Sequence, residues 1–66
     1  MVVKIIEIIG SSPNSWEDAL KNAVSEASKT VRNITRVEVK ALDVSVENDK
    51  VIEFRVDARI SFTVER

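Results

Sequence analysis

The run Val51-Ile-Glu-Phe-Arg-Val-Asp-Ala-Arg-Ile-Ser-Phe-Thr-Val64 decides the fold. Its even positions, Ile52, Phe54, Val56, Ala58, Ile60, Phe62 and Val64, are apolar, and its odd positions from Glu53 to Thr63 are polar. Side chains along a strand alternate between two faces, so this is one long strand with a buried face and a polar face. Just before it, Glu47-Asn-Asp-Lys50 has the composition of a hairpin turn, because Asn and Asp tolerate positive φ. The preceding run, Ile34–Glu47, is therefore its antiparallel partner.

That partner alternates too, but its phase changes. Val37, Val39 and Ala41 are apolar at odd positions, whereas Leu42, Val44 and Val46 are apolar at even ones. One extra residue at Ala41–Leu42 restores a single apolar face, which is the pattern of a β-bulge. Apolar matching across the hairpin sets Val37 opposite Ile60, Val39 opposite Ala58, Val44 opposite Phe54, and both Ala41 and Leu42 opposite Val56. The same register sets Glu38 opposite Arg59, Lys40 opposite Asp57 and Asp43 opposite Arg55. Three opposite-sign pairs thus follow from a register chosen on apolar residues alone, each worth about 0.2–1 kcal/mol when exposed.

Upstream, Val2–Ile9 is rich in Val and Ile and charged only at Lys4 and Glu7, so it reads as a strand largely covered on both faces. Gly10–Asn14 breaks it. Ser12 before Pro13 is the favoured helix N-cap, and Asn14 with Glu17 is a competing capping box. The helix extends to about Val31, with Trp16, Ala19, Leu20, Ala23, Val24, Ala27 and Val31 on one stripe. Glu17 and Asp18 suit the positive end of its dipole; Lys29 and Arg32 suit the negative end. Asn33 suits a left-handed exit. Gly10, Ser12 and Trp16 are structural in this reading, as breaker, cap, and core or subunit contact.

The fold class is α+β: a β-α-β-β protomer whose three-stranded antiparallel sheet, in order 1-3-2, wraps on one helix. The 66 residues make one domain, 1–66. A domain of this size buries only about 60% of its unfolded surface and usually needs a staple. With neither Cys nor His in the chain, disulfides, imidazole acid–base chemistry and His metal sites are excluded. The hairpin strands reach roughly 45 Å at 3.3 Å per residue, while the helix spans about 27–30 Å at 1.5 Å per residue. Apolar sheet surface left uncovered, with open strand edges, predicts burial by further copies of the chain.

Ten basic and eleven acidic residues are interleaved, which argues against a nucleic-acid groove or a polybasic membrane patch. No apolar run approaches the roughly 20 residues of a membrane span. The chain enters a strand pattern at once, without a signal-peptide cleavage region, so the expectation is a soluble cytoplasmic protein. Ser11, Ser12 and Ser15 have no base placed by any motif, and an enzyme ranks last. Arg36 and Arg55, with Arg59, offer a pocket for a phosphate-bearing ligand; the alternative is pairing with Glu38, Asp43 and Asp57. Glu38 and Asp57, with Glu53 and Asp43, offer oxygens to Ca²⁺ around a symmetry axis; the alternative is a salt-bridge ladder. Glu47-Asn48-Asp49 lacks the spacing of a calcium loop and reads as a plain turn.

The chain resembles the dodecins along essentially its whole length. The resemblance rests on Ile8-Ile9-Gly10-Ser11-Ser12, the helix Ser15–Val31 with its small residues, Thr30-Val31-Arg32-Asn33, Val37-Glu38-Val39 and the closing alternation to Phe62. It implies a hollow homododecamer of trimers that stores and buffers flavin (riboflavin, FMN or FAD) without turnover. In that family an aromatic ring, usually tryptophan, sandwiches the flavin at the position of Arg36. A glutamine at the position of Arg55 hydrogen-bonds it, and another polar contact, often acidic, falls at Ala41. A stacking ring is worth about 0.5–1.5 kcal/mol beyond area burial. Its replacement here, with the helix start Ser12-Pro13-Asn14-Ser15-Trp16-Glu17, resembles the calcium dodecin branch. The expectation is a non-enzymatic small-ligand store for flavin or calcium, or a purely structural shell.

Overall fold

A computed structural model describes residues 1–64; the last two residues of the expected domain lie outside the described residues. The elements are β1 (Val2–Ser12), α1 (Trp16–Ala27), β2 (Ile34–Glu47) and β3 (Lys50–Val64). All pairing is antiparallel and the sheet order is β1-β3-β2, as the sequence implies. The hairpin turns at Asn48 and Asp49, with φ of 52° and 61°. Two successive positive φ values match the right-handed twist of the flanking strands.

The even positions of β3 meet α1. Val56, Ala58 and Ile60 are buried against Ala19 and Ala27, with Ile6, Ile8, Leu20, Ile34 and Val37 packed around them. Alanine at 19, 23 and 27 lets the helix lie close to the sheet. Gly10 lets it lie closer still: a Cβ there would stand 2.7 Å from the Ala23 Cβ.

That close passage explains a difference from the expected breaker. β1 does not stop at Ile9; Gly10, Ser11 and Ser12 stay paired with Val56, Arg55 and Phe54. Ser12 is consequently not the N-cap. Its Oγ accepts from the Asn14 amide at 3.0 Å and donates to Asp18 Oδ2 at 2.6 Å. Ser15 caps the helix instead, with extended backbone and its Oγ accepting from the Asp18 amide. The Asn14–Glu17 box is displaced for the same reason. The helix also ends four residues short of Val31, because Thr30 and Val31 both donate to the Ala27 carbonyl in a closing turn. Asn33 follows with φ of 62°, the expected left-handed exit.

At about 1.5 Å per residue, the twelve helical residues span roughly 18 Å, against 50 Å for the long axis of the molecule. The sheet therefore outruns its helix by more than the sequence suggests. Leu42, Val46 and Val51 are 52%, 59% and 53% exposed. β1 is also barer than expected: Val3, Ile5 and Ile9 are exposed, since among the described residues no element covers its second face.

Candidate functional site

The odd positions of β3 turn away from α1, and the register brings charged residues of all three strands to that face. Glu38 lies opposite Arg59, Asp43 opposite Arg55, and Glu7 of β1 opposite Arg59 from the other side. Two of the expected pairs form. Arg59 Nη1 lies 3.4 Å from Glu38 Oε1, and Arg55 Nε lies 3.1 Å from Asp43 Oδ1. The second is an ion pair without hydrogen-bond alignment, for Arg55 Nε is closed to solvent and unpartnered by that criterion.

The third pair does not form as expected. The bulge falls one residue earlier, so Ala41 lies opposite Asp57 and Leu42 alone opposite Val56. Lys40 is the extra residue, and its Nζ lies 3.5 Å from Glu7 Oε2, across the central strand. Pulling Lys40 out of the ladder lets its long side chain reach β1. Two further shifts, at Ile34/Arg36 and Ser45/Val46, leave no phase change in the sequence large enough to read.

Asp57 is thereby left beside Glu7 with only distant compensation. Its Oδ1 is closed to solvent and receives no hydrogen bond. Its carboxyl is held above its ordinary value, first because the protonated acid can bond to the Glu7 carboxylate. Desolvation and repulsion from Glu7 act in the same direction, and Lys40 opposes them. Glu7 is the site residue that sequence reasoning missed. The available signal was its odd position in β1, which places it on the charged face once β1 pairs with β3.

The structure places Arg36 opposite Ser61, exposed and outside the ion pairs of the described residues. Arg36, Ala41 and Arg55 share the charged face but are spread along it. Glu38 and Asp57 are not brought together: Glu38 is engaged by Arg59, and Asp57 lies beside Glu7. Among the described residues no three acidic groups converge as a metal site. Trp16 packs edge-on against Phe54, with ring centroids 5.1 Å apart, and donates from Nε1 to the Asp43 carbonyl at 2.9 Å. It is committed to structure on the helix side of the sheet.

An open groove of about 480 Å³ runs elsewhere, between β1 and α1, walled by Ile8, Gly10, Asn22, Ala23 and Glu26. It contains neither Trp16 nor any of the charged-face residues. Lys29 at its end is neutralised by Glu26 at 2.9 Å, which leaves few convergent polar groups for a ligand.

Comparison with known proteins gives a consistent result. The family model described as Dodecin matches residues 2–65. Calcium dodecin of Mycobacterium tuberculosis is 39% identical over 61 residues, covering 92% of this chain and 86% of that protein. The structure of the calcium-chelating calcium dodecin of the same organism, with its calcium-binding site, superposes with a TM-score of 0.88. It is 37% identical, covering 98% of this chain and 93% of that one. Dodecin from Streptomyces coelicolor superposes with a TM-score of 0.94 at 29% identity, covering 98% of this chain and 93% of that one.

Proposed function

The chain belongs to the dodecin family, and from that premise we propose that it is a non-enzymatic binding and storage protein of the cytoplasm. It assembles as a hollow homododecamer and holds a small charged ligand on the polar face of its sheet. The observation that carries this reading is the uncovered sheet: an apolar surface running from Leu42 to Ile52 has no helix over it within one chain. Surfaces of that kind are covered by partners, and a second copy is always available. Arg36 and Arg55 stand where the resemblance expects a stacking ring and a glutamine. An arginine fork favours an anionic acceptor over a neutral ring. Riboflavin titrated into the protein is expected to keep its emission, and strong quenching would reinstate flavin as the ligand.

A second reading, calcium, is favoured by the carboxyl pair Glu7 and Asp57, whose mutual repulsion a divalent cation would relieve. Among the described residues one chain brings only that pair together, so further oxygens would come from neighbouring copies. A cation bound by the native state alone stabilises it in proportion to ln(1 + [L]/Kd). Melting with Ca²⁺ and with EDTA therefore decides the matter: an upward shift with Ca²⁺ supports the reading, and coincident curves remove it.

A further inference from the structure

We propose that Trp16 is a positioning residue for Arg55, acting from the helix through Asp43. The inference rests on the reading that the charged face takes the ligand. Asp43 is held from two directions. Its backbone carbonyl accepts from the Trp16 indole at 2.9 Å, and its carboxylate lies 3.1 Å from Arg55 Nε. The indole is itself fixed by the edge-on contact with Phe54, which lies opposite Val44, the next residue of β2.

Other side-chain hydrogen bonds of the helix region run to β1: Asp18 accepts from Ser12, and Asn22 donates to the Ser11 carbonyl. Trp16 to Asp43 is the only one joining α1 to β2 among the described residues. It fixes the peptide plane of Asp43, hence the direction in which its carboxylate leaves the strand. The closest contact of the ion pair with Asp43 is made by Arg55 Nε, and among the described residues no side-chain hydrogen bond engages the two terminal amino groups of the fork. Those groups are the donors an anionic or carbonyl acceptor would meet. The helix start thus sets the aim of a guanidinium on the opposite face of the sheet.

The test uses the assembled, ligand-free protein. Trp16→Phe keeps a ring against Phe54 and removes only the N–H donor. Exchange of the Arg55 Nε–H, followed by ¹H–¹⁵N spectroscopy, is expected to speed about fivefold in W16F, the factor for loss of one ordinary hydrogen bond. The Nε–H of Arg59, whose Nη1 pairs with Glu38, is expected to be unchanged. Coupling is reciprocal, and Trp16 is the sole tryptophan. Its emission is therefore expected to shift in Arg55→Gln and to stay put in Arg59→Gln, a measurement that stands even if W16F fails to assemble. Unchanged Arg55 exchange in folded W16F, or equal emission changes in R55Q and R59Q, overturns the proposal. No ligand enters either measurement, so a failure of the charged-face reading appears in ligand titration and a failure of positioning appears here.

Discussion

Gly10 passes beneath α1 so closely that a Cβ on it would stand 2.7 Å from the Cβ of Ala23 and 3.1 Å from its amide nitrogen. The atoms it would meet belong to the helix backbone and to an alanine with no rotamer to change. Asn22, one residue away, is tied to the Ser11 carbonyl, so the helix cannot simply lift at that point.

Gly10→Ala is therefore expected to destabilise by about 1–3 kcal/mol, the usual cost of overpacking a close contact. For a domain of this size each kcal/mol lowers Tm by about 4–8 °C. Thermal unfolding of the variant checks this; an unchanged Tm would mean that the helix and strand are farther apart than the structure has them.

Asp57 gives a pH dependence with a definite sign. A carboxyl whose pKa is raised by folding binds its proton more tightly in the folded state, so ionisation works against the fold. The stability it contributes is complete below the unfolded carboxylate value and is lost as pH rises through the folded one. Asp57→Asn removes the charge that faces Glu7 from the centre of the sheet, between Arg55 and Arg59 on its own strand and under Lys40 from β2. The variant is expected to melt above the parent at pH 7, with the gap closing as pH falls below about 3, under the unfolded aspartate value of about 3.9, where the parent carboxyl is largely neutral in both states. A gap that widens on acidification would contradict the assignment.

Arg36 tests the ligand reading by gain of function. Arg36→Trp supplies a ring where the resemblance expects one, worth about 0.5–1.5 kcal/mol of stacking, or up to about tenfold in affinity. Riboflavin emission is expected to be quenched more by R36W than by the parent protein. Equal response of the two would show that residue 36 does not face a flavin-sized site.

Much of this was legible in the sequence, and the failures have local causes. The pairings Val37–Ile60, Glu38–Arg59, Val39–Ala58, Asp43–Arg55 and Val44–Phe54 all stand, because a period-two pattern with a buried face admits one register. The bulge was misplaced by a single residue. Apolar matching cannot tell whether Lys40 or Ala41 is the extra one, and that depends on Glu7, in a strand whose pairing with β3 the hairpin does not constrain. The cap was misassigned because Ser12 and Ser15 both suit the role; Gly10 decides between them by letting β1 run on to Ser12. The candidate site was legible as a charged face, not as a set of ligands. Arg36 and Arg55 entered through charge as well as resemblance, Ala41 through resemblance, and Glu38 and Asp57 through charge alone.

The central claim is that the sheet left bare by its short helix is covered by other copies of the chain. Native mass spectrometry of the purified protein at micromolar concentration tests it most directly. The expected result is a species of about 89 kDa, twelve times the 7.4 kDa chain. A monomer at that concentration would contradict the claim and leave the exposure of Leu42, Val46 and Val51 without a physical explanation.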